Sequence, residues 1–304
     1  MNADDFETLA SVLKQRSGLS LTEDKSYLLE SRLMPVVRRR RFNGLPELVA
    51  AIKSKDESLI KEVTEVMTTN ESFFFRDTRP FDQFREIVLP RLKEARASKK
   101  RIRVWCAACS SGQEPYSLAI VIKEMAPEFS DWNIEIVGTD ISEEILKKAR
   151  DGVYSQFEVQ RGLPIQMLMK YFNQVETGWE LDESIRSMVQ YRYFNLLDSM
   201  TALGTFDVVY CRNVLIYFDH PTKSDVLMRI RSKWPMTGSC TLGVRKRCLE
   251  SVMSSNPQRV SGACISVVRK RQSKPRDNPV LAPACCWISA KKKSPGVSPG
   301  LFLF

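Results

Sequence analysis

Apolar positions recur three and four residues apart through roughly the first third of the chain, and then in short continuous runs. Phe6, Leu9, Ala10 and Leu13 fall on one helical face, with Asp4 or Asp5 as cap and Gly18 as stop. A second helix is predicted near Thr22–Met34, kinked or ended by Pro35. Three more are predicted at Leu45–Ile52, Leu59–Met67 and Phe81–Ala95. The texture then changes. RIRVWCAA (101–108), NIEIVGTD (133–140), VQYRYFNLL (189–197) and FDVVYCRN (206–213) are rich in β-branched and aromatic residues, and helical patterns at 114–126 and 142–150 separate the first three. This alternation predicts an α/β fold: a small all-α N-terminal domain (1–95), then a doubly wound domain (96–232) around a parallel sheet with both faces covered. Residues 151–188 have a weaker pattern and read as a small insertion.

Past Ser232 the periodicity is lost among Pro, Ser, Lys, Arg and scattered Cys. Residues 233–304 therefore read as a basic tail, either natural and disordered or non-native through a change of reading frame near 232–240. An α/β sheet should continue with further strands, so the domain is expected to be incomplete at its C-terminal end. The tail also explains the net charge of +10: residues 229–304 carry 15 Lys and Arg but only Glu250 and Asp277 as acids. The remainder is nearly neutral, which argues against a nucleic-acid partner. No apolar run approaches membrane-spanning length, and the acidic N-terminus lacks an apolar leader. A cytoplasmic location without membrane insertion is expected, with the eight cysteines reduced. No second C-x-x-C occurs and His220 is the sole histidine, so no metal site is expected.

Candidate chemistry gathers where strands end, the place at which ligands bind parallel sheets. In RVWCAACSSGQEPYSLAI (103–120), Cys106 and Cys109 have thiol–disulfide spacing, but Cys106 falls inside a strand and not at a helix N-terminus. Close approach of small residues 107–112 to a ligand explains the stretch better. Neither a P-loop nor a G-x-G-x-x-G motif is present. Asp140, ending the second strand, is either a ribose-binding acid or a helix cap. In TTNESFFFRD (68–77), Asn70, Ser72 and Arg76 interleave three phenylalanines; Arg76 suits either a carboxylate or a surface salt bridge.

Taken in order and spacing, TTNESFFFRD, RVWCAACSSGQEPYSLAI, GTDIS, YFNLLD and FDVVYCRNVLIYF resemble the chemotaxis receptor methyltransferase family over about residues 5–230. These CheR-type enzymes methylate glutamates of chemoreceptors with S-adenosyl-L-methionine on a Rossmann-like methyltransferase domain. The resemblance implies cofactor contacts at Asn70, Ser72 (threonine in many members), Arg76, Glu114, Asp140, Asn195, Leu196, Arg212 and Asn213. Arg76 would meet the methionine carboxylate and Glu114 the ammonium. Arg103 and Tyr217 align with residues near the transferring methyl. Arg32, Arg38, Arg39, Arg40 and Arg41 form a basic cluster that is either a solvated face or a docking surface for the cytoplasmic helices of chemoreceptors. A monomer is expected. The competing readings are an inactive or regulatory receptor-binding module with a truncated methyltransferase fold, and a nucleic-acid methyltransferase. The second is disfavoured because no [DN]-P-P-[YFW] segment occurs.

Overall fold

The computed structural model describes residues 1–233 together with strands 239–243 and 264–267. Four helices open the chain: α1 (Ala3–Ser17), α2 (Ser26–Arg40), α3 (Leu45–Lys53) and α4 (Glu57–Met67). They enclose a core of their own, in which Leu9, Leu13, Leu29, Leu33, Leu48, Leu59 and Val63 are fully buried. Gly18 ends α1 in the left-handed region at φ 77°, as the sequence predicts. The cap differs from expectation: Asn2, not Asp4 or Asp5, accepts the Asp5 N–H at 2.7 Å. Pro35 does not end α2, which runs through it to Arg40. Leu33, Val36 and Val37 bury a face that spans the proline, and that burial outweighs one lost backbone hydrogen bond.

Helix α5 (Arg79–Gln83), a π-turn at Phe84–Val88 and α6 (Leu89–Ala95) follow. Although helical, this segment packs with the sheet: Phe81, Phe84, Leu89 and Leu92 share a core with Val104, Leu118 and Tyr210. The α/β part then unfolds as β1 (Arg101–Ala107), α7 (Gln113–Glu124), α8 (Ala126–Phe129), β2 (Asn133–Asp140) and α9 (Glu143–Asp151). Residues 153–186 form the insertion, with β3 (Val153–Tyr154), α10 (Gln156–Gln160), α11 (Ile165–Tyr171), β4 (Phe172–Val175), β5 (Gly178–Leu181) and α12 (Glu183–Arg186). The chain returns to the main sheet through β6 (Val189–Tyr193) and β7 (Val208–Arg212), and α13 (His220–Ser232) covers it. Two further strands, β8 (Ser239–Gly243) and β9 (Cys264–Val267), extend the sheet, where the sequence pattern had offered none. The rest of the tail (234–238, 244–263 and 268–304), with its reading-frame question, lies outside the described residues.

The main sheet is parallel throughout, in the order β6-β2-β1-β7-β8-β9. Strand order reverses between β1 and β7, which opens a crevice beyond their carboxyl ends. The insertion is a separate antiparallel sheet, β3-β5-β4. Alternation along β1 supplies both faces of the main sheet: Ile102, Val104 and Cys106 point into one core, Trp105 and Ala107 into the other. Gly138 in β2 admits the Tyr191 ring, since a Cβ there would lie 2.8 Å from it. No helix among the described residues is long and apolar enough to cross a membrane.

Candidate cofactor cleft and its relatives

At the switch point lies a cleft enclosing about 1040 Å³ of empty space, open solvent at its mouth included. Asn70, Ser72, Arg76, Glu114, Asp140, Asn195, Leu196, Arg212, Asn213 and Tyr217 all line it. Five stretches, separated by up to a hundred residues or more, therefore meet around one space.

The loop after β1 owes its shape to backbone conformations that side chains resist. Ala108 and Ser110 take φ values of 57° and 52°, and Gly112 takes 89° before α7 begins. Asp140 holds this turn: one carboxylate oxygen accepts the Ser110 N–H at 2.8 Å, the other the Ser142 N–H at 3.1 Å. The cap of α9 is Ser142, which accepts the Ile145 N–H, so the cap reading of Asp140 falls away. Burial raises the Asp140 carboxyl above its ordinary range, against the pull of these N–H groups. Its remaining lone pairs are available to hydroxyls in the cleft.

Arg212, at the end of β7, has a side chain only 1% exposed. It donates to Glu114 Oε2 at 2.7 Å, to the Arg76 carbonyl at 2.8 Å and to Asp77 Oδ2 at 2.8 Å. It thus anchors a strained turn in which Phe75, Asp77 and Thr78 have φ values of 50°, 66° and 46°. Phe75 N–H donates to Ser117 Oγ, and Ser110 Oγ donates to the Asn70 carbonyl, which ties the same segment to α7 and to the β1 loop. Desolvation raises the Glu114 carboxyl despite the Arg212 charge beside it. Its Oε1 has no hydrogen-bond partner among the described residues and is available to a cation in the cleft. Asn213 is left-handed at φ 57° and turns the chain toward Tyr217.

The N-terminal domain closes one side. Ser17, Leu19, Thr68 and Thr69 line the cleft; Thr68 and Thr69 open the TTNESFFFRD stretch, whereas no sequence signal marked Ser17 or Leu19. Asn195 Nδ2 donates to the Arg16 carbonyl at 2.6 Å, and Ser20 N–H donates to the Tyr217 carbonyl at 2.9 Å. Glu65 accepts from Ser142 Oγ and the Glu144 N–H, and so reaches from α4 to the start of α9.

Arg103 is not in the cleft. It sits in the first half of β1, opposite Glu135, roughly 13 Å of strand before the carboxyl end. There it bridges Glu135 at 2.7 Å, donates to the Thr205 carbonyl and stacks on Phe206. Its role is structural, and the expectation that it sits near the methyl is corrected. Arg32 is also committed, donating to the Met67 and Thr68 carbonyls. Arg39 and Arg40 share Glu62, and Arg38 and Arg41 are exposed. The thiols of Cys106 and Cys109 are buried and pushed well above their ordinary range by desolvation, the opposite of a reactive pair.

A doubly wound sheet with acids after β1 and β2 around a cleft at the switch point defines a Rossmann-like domain of the cofactor-dependent methyltransferase class. The comparisons make this particular. Residues 4–68 match the CheR methyltransferase all-alpha domain and residues 70–259 the CheR methyltransferase SAM binding domain. The chain belongs to the CheR methyltransferase family. It is 41% identical over 247 residues to chemotaxis protein methyltransferase 1 of Pseudomonas aeruginosa, covering 79% of this chain and 88% of that one. It is 40% identical over 248 residues to chemotaxis protein methyltransferase Cher2 of Pseudomonas putida, with the same coverage. A chemotaxis protein methyltransferase of Vibrio parahaemolyticus is 35% identical over 243 residues, 79% of this chain and 87% of that one. The protein is a methyltransferase whose cofactor is S-adenosylmethionine.

Proposed function

We propose that this protein methylates glutamate side chains on the cytoplasmic helices of chemoreceptors. The observation that supports this most is the convergence of Glu114, Asp140, Arg76 and Tyr217 on one cleft bordered by a helical domain with exposed arginines. In this reading Asp140 takes the ribose hydroxyls, Glu114 the ammonium, and Arg76 the carboxylate of the cofactor. Asn70, Ser72, Asn195, Leu196 and Asn213 complete the cofactor walls. Arg212 acts through Glu114 and the strained turn.

S-adenosylmethionine, when bound, supplies a methyl group on a sulfonium, electrophilic toward an oxygen nucleophile. A glutamate acceptor has an unperturbed pKa of about 4.3 and is already ionised near neutral pH, so the protein needs no general base. Its task is to exclude water and hold the acceptor in line, a contribution of proximity and orientation. Tyr217, half-buried in the cleft wall, would border the acceptor and fix its approach.

The test is transfer of labelled methyl from S-adenosylmethionine to chemoreceptor cytoplasmic fragments. Base-labile label, released as methanol, is the expected result for a carboxyl ester. Label on RNA or base-stable label on protein would overturn the substrate reading, and receptor binding with no transfer would mark a module without turnover. Arg38 and Arg41 are exposed and do not share Glu62 with Arg39 and Arg40, so they carry the docking proposal. Replacing both by glutamate should slow receptor methylation by about tenfold or more through lost charge complementarity. Cofactor affinity measured by calorimetry should not change; an unaltered methylation rate would remove the docking role.

A further inference from the structure

Phe73, in the cofactor segment, has two guanidinium groups over its ring. Arg76 Cζ is 5.2 Å from its ring centroid and Arg161 Cζ is 4.4 Å away. Arg161 belongs to the insertion, in the loop between α10 and α11, 90 residues from Glu71. It donates to Glu71 Oε1 at 2.7 Å, while Arg76 donates to the Glu71 carbonyl at 2.8 Å. Two like charges over one ring repel, and the Glu71 carboxylate offsets them. The Arg161 hydrogen bond, then the Arg76 charge, hold its carboxyl below the ordinary range.

The neighbouring contacts seat the insertion flush on this segment. Gly162 has φ 88°, and a Cβ there would lie 2.1 Å from the Phe74 carbonyl oxygen and 3.1 Å from the Phe73 ring. Phe74 in turn packs edge-on against Tyr154 of β3 and Phe172 of β4, at 5.0 and 5.4 Å. Glu71, Phe73 and Arg76 line the cleft; Arg161 and Gly162 do not.

We propose that Arg161 is a positioning residue for cofactor binding: by holding Phe73 and Glu71 it sets the direction in which Arg76 presents its fork to the cofactor carboxylate. The inference rests on the cofactor role of Arg76 given above. The Arg161–Glu71 pair is half-exposed, with side chains 43% and 53% accessible, so it adds little to overall stability. Its contribution is orientation. A bidentate fork rewards alignment, and two guanidiniums over the Phe73 ring restrict the positions it can take.

Calorimetric titration of wild type, Arg161→Ala, Arg76→Ala and the double variant tests this with two probes. S-adenosylhomocysteine carries the amino-acid end; 5′-methylthioadenosine lacks it. Arg161→Ala should weaken S-adenosylhomocysteine by about threefold to tenfold. It should leave 5′-methylthioadenosine affinity unchanged, which also reports an intact cleft, and it should add nothing in the Arg76→Ala background. Phe73→Leu, which removes the ring and keeps both charges, should give the same selective loss and serves if Arg161→Ala does not fold. An unchanged S-adenosylhomocysteine affinity, equal weakening of both probes, or a full effect persisting without Arg76 would each overturn the proposal. Failure of wild type to bind either probe would instead overturn the cofactor reading beneath it.

Discussion

Arg212→Leu is expected to destabilise the protein by about 3–5 kcal/mol, because it leaves Glu114 buried without its counter-charge. Glu114 is already pushed toward protonation by desolvation with the arginine present, so removing the arginine drives it further. The turn at Phe75, Asp77 and Thr78 would lose the guanidinium that bonds the Arg76 carbonyl and Asp77, and left-handed backbone persists only where its surroundings enforce it. Urea unfolding should therefore shift to lower midpoint, and cofactor titration should show a large loss of affinity. A second variant separates the two effects. Glu114→Gln in the Arg212→Leu background removes the stranded charge, so stability should partly recover while cofactor binding does not. Near-wild-type stability in Arg212→Leu would refute the anchoring role.

Asp140→Ala is the second large effect. Removing the carboxylate should weaken S-adenosylmethionine by about 1–3 kcal/mol, the cost of leaving its hydroxyls unpaired. That corresponds to roughly fivefold to 150-fold in the dissociation constant. The same change frees the Ser110 and Ser142 N–H groups, so the turn after β1 loses its tie to the end of β2. Calorimetry on the folded variant is the measurement, and an unchanged affinity would reject the ribose role. Because Arg212 and Asp140 are both buried and central, these two replacements outweigh any change at the exposed arginines.

Strand positions were legible because the parallel sheet is buried on both faces and so writes short continuous apolar runs, as in residues 104–107 and 136–138. Asp140 drew notice because ligands sit at carboxyl ends of strands, and Glu114 through the family resemblance; both line the cleft. Arg103 failed for a related reason. Its neighbourhood in sequence matched, but strand register puts it level with Glu135, at the wrong end of β1. Pro35 does not end its helix because local propensity was overridden by the burial of Val36 and Val37 beyond it.

The sequence by itself carried the family and the main helices and strands up to residue 232, and it nominated residues for the site, since each is written in short contiguous patterns. Only the tertiary structure decided which charges are spent on one another: Arg32 on the end of α4, Arg103 on Glu135, Arg212 on Glu114 and Asp77. It also decided that Ser17 and Thr68 from the helical domain and Phe73, gripped by Arg161, belong to one cleft. The physical reason is range. Periodicity and capping act within a few residues, whereas ion pairing and close packing depend on distances in space between residues far apart along the chain.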